Sequence, residues 1–365
     1  MKIASIVGAR PQFIKLAPVL RQINKRKGFK EIVIHTGQHY DDNMSKIFFR
    51  ELGMAIPRIN LGVGSGTQGE QTGFMLMKIE QALLRNKPSC VIVYGDTNTT
   101  IAGALAAAKL HIPVLHVEAG LRSFNRRMPE ELNRIATDHL SDILFAPTQT
   151  AVRNLRKEGF TDKKIKWVGD VMFDSALYYG NKASKMNRIL KNLKLSPKNY
   201  ILTTIHRAEN TNHPERLRSL LSGLSLISKH IPVVMPIHPR TKQKMESLKI
   251  NKGSLAQIQM IPPVGYLDML MLTRNARLIG TDSGGLQKES YFCGVPAAVL
   301  RDETEWVELV EMGWNRIVPP TSALMVQSGI EKALKINPKR LGKRKGPFGD
   351  GKAAHKIVSA IAGMI

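Results

Sequence analysis

The chain alternates short apolar, β-branched runs with longer stretches whose apolar residues recur at helical spacing, and it does so twice. In the first series strands are expected at 3–7, 31–36, 90–94, 112–117, 143–146 and 165–168, with helices at 11–27 and 101–110. A second series follows with strands at 200–205, 233–237, 277–280 and 295–300 and helices at 214–230 and 285–292. A strand with one face in water alternates apolar with polar residues. Unbroken apolar strands separated by helices instead indicate parallel strands covered on both faces. The expected fold class is therefore α/β, with two doubly wound, parallel-sheet, Rossmann-like domains facing a cleft. A basic, turn-rich stretch at 181–199 lies between the series, and the boundary is expected near 169–174. That gives an N-terminal domain 1–170 and a C-terminal domain 171–351. A last helix, 352–365, follows the turn GPFGDG and is expected to return to the first domain.

At 365 residues the chain has room for two such domains, and 43% hydrophobic with 23% charged residues excludes disordered, fibrous and disulfide-built classes. Charge is the unusual feature: 54 Lys and Arg against 29 Asp and Glu leave a net +25. Such an excess points to an anionic partner, whether nucleic acid, membrane surface or substrate, without choosing among them. The basic runs at 21–30, 153–166, 182–198 and 339–352 hold at most one aromatic each, Phe29, Phe160 and Phe348. They read as solvated faces, and no nucleic-acid partner is expected. Cys90 and Cys293 lie far apart and outside any CxxC pair, as in a cytoplasmic protein with reduced thiols. The most apolar stretch, 101–117, is interrupted by Lys109 and His111, so no membrane span is expected. The opening apolar run stops at Arg10 and Pro11 and reads as a first strand rather than a leader. Met75, Met77, Met269 and Met271 fall in apolar helices and are assigned to the core.

In open parallel sheets ligands bind beyond the carboxyl ends of the strands, so the chemistry is sought there. At 8–11, GARP turns into a helix whose first position is Pro11; the N–H groups beyond it suit an anion, and Arg10 and Lys15 add positive charge. An ordinary βα loop reads equally well. At 281–285, TDSGG places Gly284 and Gly285 after Ser283, so that backbone and a helix N-terminus can approach a phosphate. Glu289, one turn on, either accepts a ribose diol or is an exposed helix glutamate. Asp96, Glu118 and Glu130 are the candidate acids. Asp96 also fits a helix N-cap and Glu130 a first-turn carboxylate, but Glu118 ends an apolar strand, where an unused charge is costly. His206, Arg207 and His238 end strands of the second series. The GSGTQG run at 64–69 matches GxGxxG, but only 59–61 precede it, so a nicotinamide site is not expected. No HExxH, GxSxG or GxxxxGK[ST] occurs and no cluster has metal-ligand spacing; neither cofactor nor metal is expected.

At these residues the chain resembles the non-hydrolysing UDP-N-acetylglucosamine 2-epimerase family, of GT-B glycosyltransferase-like fold. The resemblance is collinear over nearly the whole length. GARPQFIKLAP, HTGQH, YGDTNTT, HVEAGLRS, MPEELNR, IHRAEN, PIHPR, GTDSGGLQKES and GPFGDGKA each resemble a family motif, in order. Ala208 stands where many members carry a second Arg, Arg240 near a usual Asn, and SGTQGEQT where bacterial members often have an Arg-Gln pair. The resemblance implies interconversion of UDP-GlcNAc and UDP-ManNAc without nicotinamide or added metal, by a homodimer whose partner molecule is the UDP-sugar. By motif, Asp96, Glu118 and Glu130 would act as acid/base groups or stabilise a cation. Arg10, the Ser283, Gly284 and Gly285 turn, and His206 or Arg207 would hold the leaving diphosphate, with His206 counted in the catalytic set. Glu289 would bind ribose, His238 would contact substrate, and Lys15 matches the motif as a binding residue. Rival readings are a hydrolysing 2-epimerase, which often lacks the equivalent of Pro11, and a GT-B glycosyltransferase. A nucleic-acid-binding protein is motivated by charge alone.

Overall fold

Parallel pairing runs through both sheets of the computed structural model, which describes residues 1–37, 48–186, 188–250, 255, 257–339, 341 and 346–364. In the first sheet lie β1 (Lys2–Val7), β2 (Lys30–His35), β3 (Ile59–Asn60), β4 (Cys90–Tyr94), β5 (Val114–Val117), β6 (Ile143–Ala146) and β7 (Ile165–Trp167). Their order, β3-β2-β1-β4-β5-β6-β7, reverses between β1 and β4, with Ile6 opposite both Ile34 and Val93. The second sheet repeats the scheme with β8 (Ile201–Thr204), β9 (Val233–Pro236), β10 (Ile258–Ile261), β11 (Leu278–Thr281), β12 (Ala297–Val299) and β13 (Asn315–Ile317). Its order is β10-β9-β8-β11-β12-β13. Each reversal is a switch point, where neighbouring loops diverge to opposite faces and leave room for a ligand.

The chain divides into two compact units, Met1–Leu177 with Lys345–Ile365, and Tyr178–Arg344. Helices α1 (Arg10–Ile23), α2 (Gln68–Asn86), α3 (Asn98–Lys109), α4 (Pro129–Leu140) and α5 (Gln149–Lys157) belong to the first. Helix α6 (Val171–Met186) begins there: the Ser175 hydroxyl donates to the Ile14 carbonyl at 2.7 Å. Asp174 accepts the Ala353 and Ala354 N–H groups at 3.1 and 2.8 Å, capping the helix Ala353–Ala362 against that unit. The second unit holds α7 (Ile189–Asn192), α8 (Ala208–Thr211), α9 (Pro214–Ser228), α10 (Pro239–Ser247), α11 (Tyr266–Asn275), α12 (Gly284–Phe292), α13 (Val307–Glu311) and α14 (Ala323–Leu334). The closing helix Ala353–Ala362 is α15.

Strands β4 and β5 are buried at every position, which is why their sequences do not alternate. The strands without an apolar-run signal are short or peripheral. β10 is an edge strand with two central residues not fully buried, and β3 is two residues long. The stretch at 181–199 is more helical than its turn-rich composition suggested, because α6 runs on to Met186 with Ala183 anchored in the interior. Met77 is a correction: it is 54% exposed and shares an outward face of α2 with Phe74 and Leu84, whereas Met75 is buried. At 100° per residue, a helix that turns Met75 and Ile79 inward must turn Met77 out.

Glu31 of β2 reaches the interior beside Ser5 and Tyr94, and His35 at the end of the same strand is buried too. The Ser5 hydroxyl donates to Glu31 and meets the Tyr94 hydroxyl at 2.9 Å, while Glu31 Oε2 is buried with no hydrogen-bond partner among the described residues. Burial pushes the Glu31 carboxyl up to about 7 despite the Ser5 bond. An unfolded glutamate titrates near about 4.3. Between those values the folded chain binds more protons, so stability contributed by this group is present below the window and lost as pH rises through it. Glu31→Gln is neutral throughout; its advantage over wild type in thermal melts is expected to grow from about pH 5 to about pH 8. A constant difference between the two would exclude Glu31 as the source of that slope.

Candidate active site

In the first unit Asp96 and Glu118 stand at neighbouring strand ends and Glu130 in the first turn of α4, each beside a basic group. Asp96 follows β4, but Thr97 occupies the N-cap position of α3 and the Asp96 carboxylate instead pairs with Arg134 Nη2 at 2.7 Å. Glu118 follows β5 and pairs with the Lys15 ammonium, both side chains being buried. Its backbone sits at φ 78, a strained value for a glutamate, held there by the Phe145 carbonyl accepting both the Glu118 and Ala119 N–H groups at 3.1 Å. Glu130, half-buried in the first turn of α4, offers its carbonyl to Arg134 Nε at 3.2 Å. Lys15 is thus turned inward onto Glu118.

A single polar face of α4 organises this region. Glu130, Arg134 and Asp138 recur every four residues and so share that face. Asp138 is fully buried and accepts from His116 Nδ1 (2.7 Å), Arg122 Nη1 (2.7 Å) and the Gly120 N–H (3.1 Å). Burial alone would raise the Asp138 carboxyl, but His116 and Arg122 together hold it below the usual range. Arg122 goes on to clasp Glu158 through Nε and Nη2 at 2.7 and 2.6 Å. Glu131, also fully buried, fixes the loop before α4 by accepting from Ser123 N (2.9 Å), Ser123 Oγ (3.0 Å) and Phe124 N (2.9 Å).

The GARP turn is closed by its own sequence. Buried Gln12 accepts the Gly8 and Ala9 N–H groups at 2.7 and 3.0 Å and donates to the Tyr94 carbonyl at 2.9 Å. Those two amides are therefore committed to Gln12, and the Arg10 guanidinium lies 5.5 Å from the Phe48 ring centre. Gln38 and His39 of the HTGQH motif lie outside the described residues.

In the second unit Asp282 plays the part Asp138 plays in the first. Fully buried, it accepts the His206 and Arg207 N–H groups at 3.0 Å and Asn210 Nδ2 at 3.1 Å, and stands 3.3 Å from His206 Nδ1. The His206 ring stacks on His238, whose Nδ1 accepts the Arg240 N–H at 3.2 Å and caps α10. Ser283 caps α12, and a Cβ on Gly284 would lie 2.1 Å from Glu305 Oε1. Glu305 is gripped by Arg301 at 2.9 Å, and Arg301 also binds Glu209 at 2.7 Å. Glu289 is buried in α12; burial first, then its charge, pushes the Tyr266 phenol well up and the Cys293 thiol up to about 12. A buried carboxylate is not the exposed helix glutamate that was the alternative at this position. Lys288 lies 4.2 Å over the Trp306 ring.

Sequence reasoning missed Gln12, His116, Arg122, Glu131, Arg134, Asp138, Asp282 and Arg301 as organisers. Signals existed for some of them: a histidine inside an otherwise apolar strand, and acidic and basic residues at four-residue spacing in PEELNRIATDHL.

Two doubly wound halves with polar groups gathered at strand ends are the GT-B type of α/β protein. A crystal structure of Methanocaldococcus jannaschii UDP-GlcNAc 2-epimerase in complex with UDP-GlcNAc and UDP is similar to the chain, with a TM-score of 0.93 and 45% identity over 99% of each chain. The family model for UDP-N-acetylglucosamine 2-epimerase matches residues 21–362, and the chain belongs to that family. A UDP-N-acetylglucosamine 2-epimerase homologue of Methanococcus maripaludis is 50% identical over the full length of both chains. A UDP-2,3-diacetamido-2,3-dideoxy-D-glucuronate 2-epimerase of Pseudomonas aeruginosa is 51% identical over 90% of this chain and 91% of its own.

The turn carrying Glu118 depends on Gly120, at φ 81, where a Cβ would fall 2.5 Å from the Ala151 carbonyl oxygen. Gly120→Ala is expected to lose about 1–3 kcal/mol in denaturant melts. Wild-type stability in that variant would mean the turn yields freely.

Proposed function

We propose that the chain reversibly epimerises UDP-N-acetylglucosamine to UDP-N-acetylmannosamine at C2 without hydrolysing it. The observation that carries this reading is the set of acids: Asp96 and Glu118 just after the adjoining strands β4 and β5, each paired with a buried basic side chain, and Glu130 in the first turn of α4. C2–H is not next to a carbonyl and is scarcely acidic. Breaking C1–O first expels UDP and gives C1 oxocarbenium character, which acidifies C2–H. Anti elimination then leaves 2-acetamidoglucal. UDP re-adds at C1 while a proton reaches C2 from the opposite face. Such chemistry needs proton carriers on two faces and anionic groups to balance the cation, which is what three carboxylates supply. Arg10, the Ser283, Gly284 and Gly285 turn, and His206 or Arg207 hold the diphosphate, the α12 N-terminus adding its dipole. Glu289 takes the ribose, His238 contacts substrate, and Lys15 neutralises Glu118.

Pro11 supports the non-hydrolysing branch, and the free thiols of Cys90 and Cys293 support a cytoplasmic setting. We propose further that the chain works as a homodimer, a reading supported by the outward apolar residues Phe74, Met77 and Leu84 of α2. A second substrate is favoured by the 51% identity to the Pseudomonas glucuronate epimerase: the same C2 chemistry on a UDP-2,3-diacetamido-uronate, whose extra carboxylate suits a chain of net charge +25.

The test is incubation of purified protein with each UDP-sugar in D₂O, followed by proton NMR. UDP-ManNAc with deuterium at C2 is expected; free ManNAc with UDP would establish the hydrolysing branch. Turnover of the diacetamido-uronate alone would move the assignment to that substrate. Asp96→Asn, Glu118→Gln and Glu130→Gln should each lose about 10²–10⁴-fold in turnover while remaining folded. Near-wild-type rates in all of them would sink the site assignment.

A further inference from the structure

We propose that His116 is a positioning residue for the acids of the first unit, held as a buried imidazolium that ties the turns of Asp96 and Glu118 to the single carboxylate of Asp138. The inference rests on reading Asp96 and Glu118 as reacting groups.

His116 lies inside β5 with no exposure. Its Nε2 is 2.8 Å from the Gly95 carbonyl oxygen and its Nδ1 is 2.7 Å from Asp138 Oδ1. A backbone carbonyl can only accept, so Nε2 carries a hydrogen. The other oxygen of Asp138 already receives the Arg122 guanidinium and the Gly120 N–H. Asp138 is therefore a carboxylate, and Nδ1 must donate to it as well. A ring that donates from both nitrogens is an imidazolium. A lone buried charge would be costly. Here the charges alternate along a chain of contacts, His116 to Asp138 to Arg122 to Glu158, so positive and negative groups balance.

The consequence falls on two loops. Gly95 directly precedes Asp96; its N–H donates to the Val117 carbonyl at 3.0 Å and its carbonyl accepts from His116, so the residue leading into Asp96 is held on both sides. Gly120 closes the turn that carries Glu118 and is held by Asp138. A neutral imidazole has one N–H and could serve only one of its two acceptors, releasing either the Gly95 carbonyl or Asp138. Loss of His116 therefore loosens the turn of Asp96 directly and that of Glu118 through Asp138. Misplacement on the order of 1 Å at a reacting group can cost about 10²-fold in rate.

The test has two arms on the full-length chain. With ¹⁵N-labelled histidine, long-range proton–nitrogen NMR should show the His116 ring, assigned by its absence in His116→Gln, with two protonated nitrogens. One unprotonated, pyridine-type nitrogen would overturn the proposal, and this arm needs no variant to be active. In the second arm, His116→Gln and His116→Asn each keep donors on a single amide nitrogen in place of two opposed ring nitrogens. Both should lose about 10²-fold in kcat on the UDP-sugar, with KM and UDP affinity within about two-fold of wild type. A purely structural role would instead lower thermal stability and raise KM together, and a folded His116→Gln with undiminished kcat would refute the positioning role. If Asp96→Asn and Glu118→Gln also turn over normally, the reading of the acids has failed, while the NMR signature still reports the charge on the ring. Should neither variant fold, the His116 ring is assigned in wild type through its backbone-to-side-chain correlations, and the NMR arm decides.

Discussion

Burying a carboxylate is among the costliest things a fold can do unless every lone pair finds a donor, and the first unit is arranged around having done so at Asp138. Its partners come from β5, from the loop after β5, and from that loop's own backbone amide. Because the carboxylate must have all of them, none is free to move independently. The strand ends that carry Asp96 and Glu118 inherit that constraint. Removing one member of such a set leaves another buried charge uncompensated, so the network behaves as a unit rather than as separable bonds.

The second unit solves the same problem with the same device. Asp282, at the carboxyl end of β11, gathers the backbone N–H groups of His206 and Arg207 from the neighbouring end of β8. A loop rich in charged side chains would otherwise be mobile; a buried acid that accepts its amides gives it one conformation. Arg301, between Glu209 and Glu305, extends the arrangement to the start of α12, where the Glu305 carboxylate lies against Gly284. The polar groups at the strand ends are thus carried on loops, while their placement comes from buried ions behind them.

This division of labour suits the proposed chemistry. Proton transfer on opposite faces of one carbon demands carboxylates whose positions are set before the substrate arrives, since reorganisation during the reaction would add to the barrier. Lys15 beside Glu118 and Arg134 beside Asp96 give the two acids different electrostatic surroundings. Different surroundings are a means by which chemically similar side chains take different roles.

Much of the fold is legible in the residues themselves. Continuous apolar runs identify β1, β4, β5, β8 and β11 as buried parallel strands, and ligand chemistry follows to their carboxyl ends by topology alone. Short or edge strands such as β3 and β10 are less legible, because a few half-exposed residues carry no period. Met77 shows the limit of apolarity without phase, for the same helix has an inner and an outer face. Which acid meets which cation was not legible at all. Lys15 and Glu118 are 103 residues apart, and Arg134 and Asp96 are 38 apart. Each meeting follows from β1, β4 and β5 lying side by side, which brings the helices after them to one edge of the sheet. The sequence by itself determined that charged groups end the strands, because apolar patterning is local. Only the tertiary structure decided their partners, because neutralising a buried charge is a matter of distance in space, and strand order sets that distance.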